Sequence, residues 1–356
     1  VKSFDQDGHL KKVSRSFAAC IGKLDEPLRK WVGLTYLACR VLDTVEDAPW
    51  SNAKKQNEHF ESLEKFLLVP PTTVEALRFG QSFPEEIPDV EKRLASDVSM
   101  LFTEIQKAPA AIKKPIQELV LTMARGMRHF VEQRQGTKNP LQLKNLQEVN
   151  AYCFFVAGLV GEGLSRILAA IDSRICLSKE LILNSYHFGL FLQKVNILKD
   201  QAQDEKEGRF LVPERIELAQ SALVNAKNAM DYVRSLPRDM KGYRVFCLWS
   251  LFLGIKSLTY YLRQNTVEQI QPMKMKIPRW KTIVLFYFTE IFAATPWVLD
   301  SMFARFMSDL EKEMPEADSQ GNIRSIEGTN QNLADVIKTH YHGLLNERDL
   351  SQIGLN

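Results

Sequence analysis

The chain is short of glycine, proline and cysteine: 17, 15 and 5 among 356 residues. It also lacks runs of alternating apolar and polar residues bounded by hairpin turn dipeptides, which excludes a β-sandwich or barrel and leaves an all-α fold. Cys20, Cys39, Cys153, Cys176 and Cys247 are widely scattered, mostly in apolar helical contexts, and no Cys-x-x-Cys pair occurs. They form neither a disulfide framework nor a zinc site and read as reduced core residues of a cytoplasmic protein. Of six histidines only His340 and His342 cluster, around Tyr341 in a polar tail, too few ligands for a transition metal. No Ser/His/Asp or Cys/His machinery suggests itself. The formal charge is only +3 and the basic residues are dispersed, so no nucleic-acid partner is implied. No Gly-x-Gly-x-x-Gly fingerprint marks a dinucleotide fold. No secretory signal is read at the N-terminus, and Val at position 1 leaves room for native residues ahead of it.

What is present is apolar and helical. A hydrophobic share of 45% supports a sizeable core. Helical periodicity predicts segments at 15–40, 41–68, 89–106, 109–135, 146–171, 178–205, 213–234, 241–264 and 281–312. The breaks fall at Pro70-Pro71, Pro84 through Pro88, 136–140 and Pro272 through Pro278. None of these loops is long, so residues 1–312 are expected to form one continuous helical domain. Residues 313–356 read as a polar C-terminal extension without a membrane anchor, partly helical over 333–345 and packed on the outside. The most membrane-like stretch is Thr282–Leu299, interrupted by Glu290 and Pro296. A buried core helix is the expectation there, with a membrane-surface patch as the alternative.

Two acidic clusters stand out against this background. Asp43-Thr44-Val45-Glu46-Asp47 follows the core-grade run Trp31–Leu42, and Asp200-Gln201-Ala202-Gln203-Asp204-Glu205 follows Phe188–Lys199. Each contains Asp-x-x-x-Asp, which at helical pitch places both carboxylates on one face. A single such pair is usually a solvated helix face. Two of them embedded in core-grade helices, with Arg40, Lys199 and Arg209 close by, point instead to a site for a cation and a polyanion. Magnesium suits the donors: it takes hard oxygens, keeps several waters and bridges one or two carboxylates to phosphate. The two segments also resemble each other as a weak internal duplication, and opposed across a helical cavity they would grip a diphosphate.

Four stretches then carry a family resemblance: Ser14-Arg15-Ser16-Phe17-Ala18, Tyr36 through Asp47, Tyr152-Cys153-Phe154-Phe155-Val156-Ala157-Gly158-Leu159-Val160-Gly161, and Gln193 through Asp200 on to Gly208-Arg209. From about Lys11 to about Met314 the chain resembles the squalene/phytoene synthase family of all-α isoprenoid synthases, and its wording is that of the squalene synthase branch. The resemblance implies a single-domain helical bundle around a central cavity. It implies head-to-head condensation of two farnesyl diphosphates through presqualene diphosphate to squalene, with Mg²⁺ and NADPH. Asp43, Glu46, Asp47, Asp200 and Asp204 would be the metal ligands. Arg15, Arg40 and Arg209 would hold diphosphate or cofactor phosphates, and Tyr152 would assist the first half-reaction. Asn196, Lys199, Lys276 and Arg279 would add to the NADPH site. Ser14, Phe17, Tyr36, Val156, Leu159, Val160, Leu192, Gln193 and Phe246 would touch substrate. The small residues Ala157, Gly158, Gly161 and Gly163 would open a helix surface to a prenyl chain.

The chain departs from the family in places. Lys199 stands where Arg is usual, keeping the charge and losing the bidentate fork. Phe246-Cys247-Leu248-Trp249-Ser250 replaces a Phe-Cys-Ala-Ile-Pro-Gln wording, which bears on the shape of the second-reaction pocket; were NADPH without effect, a bulkier Trp249 taking the nicotinamide's space would be the first suspect. The hydrophobic C-terminal anchor of eukaryotic members is not read in the chain, which suggests a soluble or membrane-peripheral bacterial-type enzyme, touching a membrane for product release. Two other readings remain open: a presqualene diphosphate or dehydrosqualene synthase that stops before reduction, and a non-catalytic prenyl-diphosphate-binding scaffold.

Overall fold

The computed structural model describes residues 4–135, 141–265, 278–314 and 332–345, together with 326 and 328. Among these the protein is all-α, with only two two-residue strands. It divides into two compact units, Val1–Lys138 with Gly163–Ser173 and Asn139–Glu162 with Arg174–Asn356.

The first unit contains α1 (Gln6–Val13), α2 (Arg15–Ile21), α3 (Leu28–Asp47), α4 (Ala53–Leu68), α5 (Thr73–Gln81), α6 (Asp89–Ser96), α7 (Val98–Gln106) and α8 (Ala110–Gln135). The expected helix break at 40/41 does not exist; the chain breaks over 22–27 instead, where Pro27 precedes α3. α3 is therefore one 20-residue helix, buried almost all round, including Leu34, Leu37, Ala38, Val41, Leu42 and Val45. Its C-terminal carbonyls are satisfied from outside. Trp50 Nε1 donates to Val45 O at 2.8 Å, and Gln56 Nε2 donates to Val45 O and Glu46 O at 2.9 and 3.0 Å. α5 was not expected so close to Pro70-Pro71, yet Thr72 and Glu75 form a reciprocal capping box there. That Thr-x-x-Glu spacing was the signal available in the sequence.

The second unit contains β1 (Leu141–Gln142), α9 (Leu146–Cys153), a π-helical turn (Phe154–Gly158), the first turn of α10 (Leu159–Ile171), α11 (Lys179–Lys206), β2 (Arg209–Phe210), α12 (Arg215–Ser235), α13 (Lys241–Asn265), α14 (Arg279–Phe292), α15 (Pro296–Glu311) and α16 (Leu333–Tyr341), which ends in a 3₁₀ turn. α16 carries buried Leu333 and Ile337 and packs on α9, with the Tyr341 ring 5.7 Å from Phe155. Two helical stretches, Leu146–Ile171 and Lys241–Arg263, are long and apolar enough to cross a membrane, but 61% and 72% of their most apolar windows are buried within the protein. They are core helices. The stretch at 282–299, by contrast, is not the buried core helix expected: it is split between α14 and α15, and much of α14 is exposed.

α11 is the spine of this unit, and glycine sets how closely its neighbours approach. A Cβ on Gly161 would lie 2.0 Å from Ser185 O, and one on Gly189 would lie 2.2 Å from Ala157 O. The small residues of the Tyr152–Gly161 run thus seat one helix backbone on another, rather than open the groove anticipated for a prenyl chain. α11 is also fastened to α12 by a fully buried lysine: Lys194 Nζ donates to Ser221 Oγ and Asn225 Oδ1, both at 2.6 Å. Asn225 Nδ2 in turn donates to His187 Nδ1 at 2.8 Å. Burial pushes Lys194 down from 10.5 to about 7, against a smaller upward pull from Cys153 and Glu217.

The sign of the resulting pH dependence follows. Between about 7 and 10.5 the unfolded chain holds a proton that native Lys194 does not, so stability rises with pH across that window, by at most about 1.4 kcal/mol per pH unit from this group. Urea unfolding at several pH values should show the rise, and Lys194→Met should remove this contribution. An identical slope in the two proteins would mean that Lys194 titrates as an ordinary lysine.

Candidate active site

In the C-terminal half of α3 the side chains that escape full burial are Tyr36, Arg40, Asp43 and Asp47, with Glu46 beside them on an adjoining face. Tyr36, Arg40, Asp43 and Asp47 are spaced by four, three and four residues, so they share a helix face. α2 brings up the rest of the expected group. Ser14 caps α2 by accepting from Phe17 N at 3.3 Å, its side chain hydrogen-bonds with Tyr36, and the Phe17 and Tyr36 rings lie 5.4 Å apart. Burial raises the Tyr36 hydroxyl pKa, opposed by Ser14 and Arg40. Ser14, Phe17, Tyr36, Arg40 and Asp43 are therefore one cluster in space.

Charge in this cluster is tightly coupled. Arg40 approaches Asp43 at 3.9 Å and pairs more closely with Glu91 of α6, whose other oxygen accepts from Thr44 Oγ1 at 3.2 Å. Burial opposes the charge on Arg40, but Asp43 and Glu91 more than offset it and hold the guanidinium above its ordinary pKa. The Asp43 carboxylate keeps 36% of its surface open to solvent, yet protein crowds it on its other sides. That desolvation, with the neighbouring Asp47 and Glu91 charges and against Arg40, raises Asp43 to about 7. Arg40 Nε is buried without a hydrogen-bond partner, a donor available to an oxyanion. Sequence reading missed Glu91, which lies 44 residues beyond Asp47 in an ordinary charged helix start. Only the fold brings it to Arg40.

The second unit repeats the device. Leu192, Gln193, Asn196, Lys199 and Asp200, at offsets of zero, one, four, seven and eight, form one face of α11, half-buried at Leu192 and Gln193 and exposed from Asn196 on. Asp204 behaves differently from Asp200. α11 ends at Lys206, and Gly208 with φ 75° turns the chain back. β2 then pairs in parallel with β1, Arg209 opposite Leu141. The result is that Arg209 donates to Asp204 at 2.6 Å and to Glu207 at 2.8 Å.

Tyr152, on the last turn of α9, is buried, and the π-helical turn follows it immediately. Such turns concentrate at functional sites because they re-aim side chains within a helix. Val156 and Leu159 are buried and Val160 half-buried just beyond. Phe246 of α13 is buried and stacks on Tyr243 at 5.7 Å; the Tyr243 hydroxyl meets Tyr232 at 2.9 Å, and Tyr232 lies against Phe188 of α11. Trp249 is committed elsewhere: it stacks on Phe286 of α14 at 4.0 Å and donates to Phe286 O at 3.2 Å. Lys276 lies outside the described residues, as do the side chains of Arg15 and Arg279. Among the described residues no three His, Cys, Asp or Glu side chains converge as a complete metal cage.

The family profile described as squalene/phytoene synthase matches residues 10–243. The chain belongs to the squalene/phytoene synthase family. All four motif stretches fall inside that span. Among curated relatives, the squalene synthase of Mycosarcoma maydis is 36% identical over 210 residues, covering 58% of this chain and 35% of that protein. The squalene synthase of Homo sapiens is 26% identical over 362 residues, covering 94% of this chain and 81% of that protein. In fold, the chain is similar to a solved complex of TcSQS with the ligand BPH1237, at TM-score 0.70 and 23% identity over 94% of this chain and 98% of that one. A dehydrosqualene synthase structure aligns at TM-score 0.55 and 18% identity, over 81% of this chain and 94% of that one. The fold is the all-α isoprenoid synthase fold.

The Asp204–Arg209 pair offers a direct test of the second cluster. Arg209→Met takes the guanidinium away from a largely buried carboxylate, and urea unfolding in chelator should show a loss of about 2–3 kcal/mol. Adding Asp204→Asn should recover part of it. An additive double mutant would mean the pair is not coupled.

Proposed function

We propose that this family member is a squalene synthase: it joins two farnesyl diphosphates head to head to presqualene diphosphate, releasing one diphosphate, and then reduces that intermediate to squalene with loss of the second. The observation that carries this reading is the repeated device of a buried helix with one polar stripe ending in paired aspartates, each with an arginine in contact, Arg40 at Asp43 and Arg209 at Asp204.

The donor set fits magnesium. Asp43 and Asp47, and separately Asp200 and Asp204, offer hard oxygens in pairs, which suffices for an ion that takes its other ligands from water and phosphate. The Asp43 carboxyl, raised to about 7 in a crowd of carboxylates, is a group that a cation would return to its charged form. Glu46 belongs to the same ligand group. Bound magnesium would supply charge neutralisation for a departing diphosphate, and NADPH would supply the hydride of the second half-reaction.

The chain's own residues then have defined tasks. Arg40, through its unpartnered Nε, and Arg209 orient phosphate oxygens, with Arg15 in the same role. Tyr152 takes a proton or steadies positive charge during the first condensation. Ser14, Phe17, Tyr36, Val156, Leu159, Val160, Leu192, Gln193 and Phe246 contact the prenyl chains and exclude water, which would otherwise quench a carbocation to an alcohol. Asn196, Lys199, Lys276 and Arg279 are the candidates for the cofactor's anionic groups. The product is a hydrocarbon that leaves through a lipid phase, so a membrane-peripheral cytoplasmic enzyme belongs to the same reading.

Asp43→Asn or Asp200→Asn should leave the protein folded and lower farnesyl diphosphate turnover by about 100-fold or more, as should excess chelator. Near-normal rates in either variant would remove the aspartate pairs from the chemistry. Tyr152→Phe should slow presqualene diphosphate formation by about tenfold or more while circular dichroism is unchanged; a wild-type rate would leave the hydroxyl a packing group. Product analysis with and without NADPH should show carbon redirected from presqualene diphosphate or its alcohols to squalene. If saturating NADPH alters neither product nor rate, the activity is that of a presqualene diphosphate or dehydrosqualene synthase. If farnesyl diphosphate is not consumed at all, the protein is a binding scaffold.

A further inference from the structure

α14 is held firmly on one side and bare on the other. Its inner side is fixed to α13 by the Trp249–Phe286 stack and by Arg244 Nε, which donates to Ala293 O at 2.8 Å just past the helix end. Arg244 is itself anchored on Val233 O and Leu236 O at 2.6 and 2.9 Å. On the outer side Trp280, Ile283, Val284, Tyr287, Phe288 and Ile291 are between 45% and 70% exposed. Their spacing of 0, 3, 4, 7, 8 and 11 residues makes one continuous apolar stripe. Trp297, in the first turn of α15, is 73% exposed. Soluble monomers scatter single apolar residues over their surfaces; a rigid helix presenting a whole stripe of large ones is an interaction surface.

We propose that this face of α14, with Trp297, docks in the plane of a lipid bilayer that carries anionic headgroups. The helix has 14 residues, too short for the roughly 20 needed to cross the hydrocarbon, so it lies along the interface. Trp280, Tyr287 and Trp297 are the amphipathic rings that favour headgroup depth. Charge along α14 favours an anionic surface: its first turn carries Arg279 and Lys281 and no acid, and its one acidic residue, Glu290, lies in the last turn. The Lys281 ammonium sits beside the stripe, hydrogen-bonded to the Tyr260 hydroxyl at 3.0 Å. The choice of a lipid surface over a second protein copy rests in part on the proposed function, whose substrates are prenyl chains and whose product is a hydrocarbon.

The test is flotation of the purified chain with phosphatidylcholine vesicles, with and without phosphatidylglycerol, at low and high salt. The wild type should float with the anionic vesicles, less with neutral ones, and less at high salt. Ile283→Ser/Tyr287→Ser/Ile291→Ser should reduce flotation by about tenfold or more, with an unchanged thermal melt and unchanged turnover in detergent micelles. Equal flotation of the two proteins, or none of the wild type, overturns the proposal. So does a wild-type dimer, seen by sedimentation, that the triple substitution converts to monomer without any vesicle binding, which assigns the face to a second copy. Flotation is read without substrate, so a protein that binds vesicles but consumes no farnesyl diphosphate refutes the proposed function and leaves the docking surface standing.

Discussion

An aspartate in the last turn of an α-helix faces the negative end of the helix dipole, and a second aspartate four residues away adds its own repulsion. Asp43 and Asp47 close α3, a helix otherwise sunk into the core, and burial first, then the neighbouring Asp47 and Glu91 charges, raise Asp43 to about 7 against the pull of Arg40. Much of the surrounding architecture answers that constraint. Arg40 is drawn between Asp43 and Glu91, and Trp50 and Gln56 cover the carbonyls that would deepen the negative potential. At the end of α11 the same difficulty is met by another route, a left-handed glycine and a two-residue strand that fold Arg209 onto Asp204. In both units the aspartate charges are left only partly compensated.

In the second unit α11 is closely packed against its neighbours. Glycines bring the run after Tyr152 into backbone contact with α11, and the buried Lys194 ties α11 to α12 through two short hydrogen bonds. Lys194 has no carboxylate partner among these bonds, so its anchoring is bought with a depressed pKa rather than an ion pair. The chain of Phe188, Tyr232, Tyr243 and Phe246 extends the same rigid packing across three helices. Close packing of this kind fixes the backbone that carries the α11 stripe.

α14 shows the converse arrangement. Its inward side is fastened through Trp249 and Arg244, while its outward apolar residues are 45–70% exposed. The substitution at Trp249, which in sequence looked like a change in the reaction pocket, is in structure part of this fastening.

Residue order alone was enough for the all-α class and the two acidic clusters, because helical periodicity and Asp-x-x-x-Asp spacing are local properties of the chain, and for the family through its motif wording. It also picked out Ser14, Phe17 and Tyr36 as substrate contacts and Arg40 as a phosphate holder, through motif wording rather than through any visible contact. It misplaced the break between α2 and α3, missed α1 and α5, and took the 282–299 stretch for a core helix, since hydropathy counts apolar residues without saying which of them find cover. Tertiary structure decided the rest. Glu91 reaches Arg40 only because α6 packs on α3; the glycines after Tyr152 meet a helix backbone rather than a ligand; and Asp204 differs from Asp200 only because the turn at Gly208 returns Arg209 to it. Each of these depends on contacts between residues distant in sequence or on a backbone turn in space, and neither is written in the local pattern of residue types.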